Sequence, residues 1–256
     1  MKLLTLSNFL IFVPLLNAVS ATPPFLGITE HDLGVVNISA GGHRLRWESF
    51  VEKRSVDNAI DFYYRKRTMF WADTDKQIRR IDLNTKERSV LVRDAGVSQE
   101  GLAVDWITGK LYWICKPEQS PVDGFTRDRI EVIDLSGRNR ATLYWEHLAD
   151  PKALVLDPLR GYMYFIDRDS VTDLPKIDQA RLDGSSRRTV VDSDLDLPIS
   201  LTLDVVHNVL YWMDMGSDKR IKNRGIFALD LKSPELNRSV VVQNISISYT
   251  LTMSDV

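Results

Sequence analysis

Acidic residues recur at fixed places in this chain. Asp73, Asp167 and Asp214 each stand two positions after the second member of an aromatic pair. A second set, Asp61, Asp105, Asp157 and Asp204, precedes those pairs by seven to nine positions. Carboxylates converging from several strands suit a calcium ion, which takes six to eight oxygen ligands, or acid–base catalysis. A carboxylate that returns at the same point of successive repeats is better explained as part of a scaffold, because a buried carboxylate must be hydrogen-bonded. The histidines His31, His43, His147 and His207 fall at different repeat positions, so no Cys/His metal spacing exists. Cys115 is alone, which excludes an intrachain disulfide, and it reads as a small buried hydrophobe of a strand. Neither a Gly-x-Ser-x-Gly elbow nor a phosphate-binding glycine loop is present. The expectation is a protein with no catalytic residues, no cofactor and no metal, whose work is binding.

The elements that carry these carboxylates form a repeat. Its aromatic pairs are Phe70–Trp71, Tyr112–Trp113, Tyr164–Phe165 and Tyr211–Trp212, so the first aromatic steps by 42, 52 and 47 residues. A period in the forties is the size of one four-stranded propeller blade. Within each unit an apolar strand ends at an Asp, a turn follows, and a second strand bears the aromatic pair. A third strand alternates, as in Arg129–Leu135. After a polar turn such as Ser136-Gly137-Arg138-Asn139 comes a fourth, such as Thr189-Val190-Val191. The pattern predicts an all-β propeller. Its four complete blades lie at about 58–93, 99–145, 151–192 and 198–243, and a fifth begins at 244–256.

The bulk properties agree. A 256-residue chain can bury a core without disulfides, and a net charge of -2 gives no reason to expect nucleic acid. Residues 1–21 have Lys2, an apolar run to Leu16 and then Ala18, Ser20 and Ala21, which is the make-up of a secretory leader. No other segment has the roughly 20 apolar residues that a membrane span needs. Entry into the secretory pathway makes Asn37, Asn237 and Asn244, each in an Asn-x-Ser triplet, expected glycosylation sites.

The aromatic-aromatic-x-Asp strands, each after an apolar strand ending in Asp, resemble the YWTD (class B) repeats of the LDL-receptor-related family. The stretches Ile130–Trp145, Asp150–Ala153, Arg160–Tyr164 and Leu182–Ser185 are most similar to its Wnt co-receptor and agrin-receptor branch. The resemblance implies a six-bladed propeller, so the chain is expected to be truncated, with 25–38 as the first strand that closes the ring on the last blade. It also implies an extracellular or cell-surface module for secreted protein ligands, of Wnt or Wnt-antagonist type. The parent protein would be anchored by a segment absent from this chain. Cys115 departs from the repeat Asp and Phe165 from the repeat Trp. In a propeller the loops before the first strand and after the second share a face, and loops on a rigid scaffold carry binding. That face is expected to present Gln99, Glu100, Lys152, Leu197, Ile199, Arg168, Asp169 and Lys219. A free secreted binder and a calcium-dependent secreted propeller hydrolase are the alternative readings.

Overall fold

The computed structural model describes residues 10–11, 25–28, 32–38, 45–52, 59–116, 128–144, 148–216, 224–233 and 238–243. Five four-stranded antiparallel sheets account for its strands. The first joins β1 (Leu10–Ile11), β2 (Phe25–Ile28), β3 (Asp32–Ile38) and β4 (Leu45–Glu52). Blade I is β5 (Ile60–Tyr63), β6 (Thr68–Ala72), β7 (Ile78–Asp82) and β8 (Arg88–Val92). Blade II is β9 (Val97–Asp105), β10 (Lys110–Cys115), β11 (Arg129–Asp134) and β12 (Ala141–Tyr144). Blade III is β13 (Lys152–Asp157), β14 (Tyr162–Arg168), β15 (Pro175–Arg181) and β16 (Arg188–Val191). Blade IV is β17 (Pro198–Asp204), β18 (Val209–Asp214), β19 (Gly225–Asp230) and β20 (Arg238–Gln243). The four repeats thus fold as four complete blades of an all-β, YWTD-type propeller. The inner strands β5, β9, β13 and β17 lie beside one another in that order.

Side chains alternate across a strand, and this alternation explains the aromatic pair. Tyr112 packs with Met163, Phe165 and Leu154 of blade III, while Trp113, its neighbour in sequence, packs with Phe70, Ala72 and Ile78 of blade I. Tyr164 turns towards Trp212 and Leu201 of blade IV, and Phe165 turns back to blade II. The first aromatic therefore serves the interface with the next blade and the second that with the previous one. Trp71, Trp113, Phe165 and Trp212 are all at most 1 % exposed. Phe165 fills the Trp position and leaves no indole N–H to satisfy. By contrast, Trp113 Nε1 donates to Ala95 O at 3.0 Å.

The N-terminal segment differs from the single first strand expected over 25–38. It is a hairpin, with Phe25 opposite Val36 and Ile28 opposite Leu33. Gly27 faces Gly34 in the register. Pairing runs so close in sequence costs little loop entropy. β2 pairs with β1 and β3, not with a last blade, and β1 falls inside the expected leader: Leu10 pairs Ile28 and Ile11 pairs Gly27. The rest of the leader and the segment 244–256 lie outside the described residues. No helix among the described residues is long and apolar enough to cross a membrane.

Candidate ligand-binding face

Each blade leaves the connection after its second strand, and the connection into its first strand, at the same end of the propeller. The repeat Asp residues build that end. Asp214, fully buried, accepts the backbone N–H groups of Asp196 and Leu197 at 2.9 Å and Gly216 at 2.8 Å. Asp167 accepts those of Ala149 at 3.0 Å and Asp150 at 2.9 Å, and Arg187 donates to its other oxygen at 2.6 Å. Asp73 accepts Asp75 N–H at 3.0 Å and Gln77 N–H at 2.9 Å, and Arg79 donates to it. Each carboxylate fixes loop backbone, and in blades III and IV it fixes the connection into its own first strand. Cys115 cannot do this. In blade II the N–H groups of Ala95 and Gly96 turn instead to Lys76 O of blade I, at 2.7 and 3.3 Å. Gly96 takes φ +57°, and a Cβ there would stand 3.1 Å from Cys115 Sγ. The thiol is buried, and burial pushes its pKa up to about 11.

The second set of Asp residues does not converge on an ion. Asp105 caps its own turn through the N–H groups of Ile107 and Thr108, at 2.9 and 3.0 Å. Asp157 caps Arg160 N–H, and Asp204 caps His207 N–H. Asp61 spans two blades, accepting Phe62 N–H at 2.7 Å and Val104 N–H of blade II at 2.6 Å. Burial raises its pKa to about 6 against the pull of those two bonds. Among the described residues no three His, Cys, Asp or Glu side chains are grouped to hold a metal.

A charged cluster crosses blades II and III on the loop face. Asp150 sits between Lys116 Nζ at 2.6 Å and Lys152 Nζ at 2.8 Å, with Asp128 3.8 Å from Lys116. Burial raises the Asp150 pKa, but the hydrogen bonds from the two lysines outweigh it and leave the carboxyl below its ordinary value. Asp128 is shifted up, first by burial and then by the charges of Asp150 and Asp167. Beside the cluster, the loop 169–174 is closed on itself. Asp169 N–H donates to Leu174 O, and Asp173 N–H to Asp169 O, both at 2.8 Å. The Asp169 carboxylate accepts Val171 and Thr172 N–H at 3.1 and 2.8 Å, and Arg168 holds Asp173 at 2.7 Å. This closed loop presents Val171, 89 % exposed, and Leu174, 59 % exposed; Leu197, 44 % exposed, lies on the neighbouring connection.

The structure brings Lys152, Arg168, Asp169 and Leu197 to this face. Ile199 is half-buried inside β17, because Pro198 already pairs with Asp214. Gln99 and Glu100 stand within β9 and not in a loop before it. A bulge opposite Trp113–Cys115 carries that strand back to Val97. Asn37 lies in β3 opposite Arg46. Lys219, Asn237 and Asn244 are outside the described residues. Asp128, Val171 and Leu174 belong to the loops 116–128 and 168–175, which the sequence places on this face without singling these residues out; the folded loops bring them forward. A recurring arginine was missed by sequence reasoning. Arg88, Arg140, Arg187 and Arg238 each precede by two the residue facing the partner of the second aromatic. Arg140, Arg187 and Arg238 lie over the rings of Trp113, Phe165 and Phe227, at 5.3, 5.2 and 4.3 Å. Aligning the fourth strands would have revealed it.

Residues 161–205 match the low-density lipoprotein receptor repeat class B family. The matched span runs from β14 through β17, three strands of blade III and the first of blade IV. The chain is 36 % identical over 153 residues to low-density lipoprotein receptor-related protein 5 of Mus musculus, covering 58 % of this chain and 9 % of that protein's length. The crystal structure of a nidogen/laminin complex contains a chain similar to this one at a TM-score of 0.71 and 22 % identity, over 96 % of this chain and 81 % of the other. A gluconolactonase of Xanthomonas campestris aligns at a TM-score of 0.57 and 18 % identity, over 90 % of this chain and 75 % of its own, a likeness of fold alone. The four in-register blades, the aromatic pair that serves two interfaces and the class B match over residues 161–205 make this chain a β-propeller that is similar, in its repeats, to the LDL-receptor-related proteins.

Proposed function

We propose that the chain is an extracellular ligand-binding module of an LDL-receptor-related cell-surface receptor and that it has no enzymatic activity. Its ligands are secreted proteins of Wnt or Wnt-antagonist type. The observation that carries the reading is the loop face itself. Its backbone is fixed from below by Asp167 and Asp214, its charges are paired in the Lys116–Asp150–Lys152 cluster, and its apolar residues stand out into solvent at Val171, Leu174 and Leu197. Apolar anchors on a rigid support with a polar surround are the make-up of a protein interface. Preorganisation also lowers the entropy lost on binding. Similarity to a receptor over 153 residues supports the same class of role.

The test is titration of the purified chain with a purified Wnt protein and with a Wnt antagonist. Leu174→Asp and Leu197→Asp are each expected to weaken binding about tenfold or more, since buried interface anchors cost over 1 kcal/mol when lost. Val206→Asp, at the opposite end and 63 % exposed, is expected to leave it unchanged. Equal loss from all three variants, or no binding at about 10 μM of either ligand, refutes the proposal.

A further inference from the structure

The end opposite the loop face carries the β5–β6 and β7–β8 turns of blade I. In blades II to IV the turn after the first strand is short and closes on a left-handed Gly109, Gly161 or Asn208. Blade I has a 3-10 turn at Tyr64–Lys66 instead, ended by Arg67 at φ 49°. Tyr64, Arg65, Lys66 and Arg67 are consecutively exposed. Leu83 N–H donates to Arg67 O at 2.8 Å, fixing this turn against the start of the β7–β8 turn, where residues 84–88 are also exposed. Arg65, Lys66, Arg67, Lys86 and Arg88 therefore share the end of one sheet, against two acids, Asp82 and Glu87. The excess is local, because the chain as a whole carries a charge of -2.

Three arginines rooted near this end of blades II and III reach inward and are held by carboxylates. Arg140 pairs with Glu131, Arg160 with Asp157, and Arg187 with Asp167 and Asp178. Among the described residues, no carboxylate pairs with Arg65 or Arg67, and Lys66 rests over the Tyr63 ring at 5.4 Å. The Asp82 carboxylate is turned inward on Asn84 and Thr85 N–H, at 2.7 and 3.1 Å. Four strands spaced about 4.8 Å apart set these charges along a line of about 14 Å. We propose that this edge of blade I binds a linear sulfated polysaccharide. An anionic membrane fits less well, because surface attachment needs an apolar face beside the charge, and this turn exposes only Tyr64. The inference does not depend on the loop-face reading, and its site is at the other end of the fold.

The probe is size-fractionated heparin, titrated against the full chain at several salt concentrations. Arg65→Ser/Lys66→Ser/Arg67→Ser is compared with Arg138→Ser/Arg188→Ser/Lys232→Ser, an equal loss of charge from the same end of blades II to IV. The first variant is expected to lose about tenfold in affinity near 0.15 M salt and to show a shallower dependence on salt; the second is expected to lose less than about twofold. If the first variant fails to fold, Arg65→Ser alone is expected to lose about twofold. Absence of heparin binding, equal loss from both triple variants, or undiminished competition by desulfated heparin overturns the proposal. So does binding to phosphatidylserine vesicles that falls in parallel with heparin binding.

Discussion

Removal of the Asp214 carboxylate is the sharpest test of the view that the repeat acid is a clamp on loop backbone. Asp214→Ala deprives three N–H groups, of Asp196, Leu197 and Gly216, of their acceptor. A hydrogen bond to a charged group contributes about 1.5–3 kcal/mol, and a stranded buried donor costs about 1–3 kcal/mol. Leu197 is 44 % exposed, so water recovers part of its share, whereas Asp214 is itself sealed from solvent. The expected loss is about 3–5 kcal/mol. Asp214→Asn keeps one oxygen for Leu197 and Gly216 and turns its amide on Asp196 N–H, for an expected loss of about 1–2 kcal/mol. Urea unfolding followed by tryptophan emission reads both. With a slope of about 2 kcal/mol/M, the midpoint should fall by about 2 M for Ala and under about 1 M for Asn. A shift under about 0.2 M for Ala refutes the clamp. Equal losses for Ala and Asn would show that the charge holds the site, not the bonds.

Two further outcomes follow from groups whose pKa is raised by burial. Asp61 has its pKa raised by burial from 3.8 to about 6. The folded state thus holds the proton more tightly than the unfolded chain, and stability falls as pH rises from about 4 to 6. In Asp61→Asn that dependence should vanish, so the stability difference between wild type and variant should change by about 2 kcal/mol between pH 7 and pH 4; a constant difference refutes it. The Cys115 thiol, raised by burial from 9.0 to about 11, should resist iodoacetamide at pH 8.5 in the folded chain and react within minutes in denaturant, with stability falling as pH climbs from 9 towards 11. Labelling of the folded chain at the denatured rate would count against its burial.

The blades were legible because a 2-residue alternation and a period in the forties are both written in apolar and aromatic residues. The aromatic pair, the Asp that ends each first strand and the polar turns fall where the strands require them. The replacement of Asp by Cys115 was visible, but its compensation was not: the acceptor that stands in is the backbone carbonyl of Lys76, which leaves no trace in side-chain identity. Gln99 and Glu100 were assigned to a loop because Gly101 reads as a strand start. The bulge in register at Trp113–Cys115 extends the strand past that glycine. The cluster at Lys116, Asp128 and Asp150 joins residues 34 apart in sequence, and only the packing of blade II on blade III brings them together. The 25–38 segment was read through the family's ring closure, while its two short apolar runs, separated by the polar residues 29–32, suit the local hairpin that forms.

Every sheet in the described structure is ordered as its strands occur in sequence, so each hydrogen-bonded pairing is between neighbours along the chain. The topology therefore lets a blade form as soon as its own strands are available, without waiting for a distant partner, and short-range pairings of this kind favour rapid folding. The interfaces impose the opposite schedule. Trp113 and Phe165 are sealed against the preceding blade, while Tyr112 and Tyr164 stay uncovered until the following one arrives. On a ribosome, each new blade would thus cap the last one and expose a fresh aromatic surface. At every stage of synthesis the chain would carry one sticky face at its growing end, which is where a chaperone would find it.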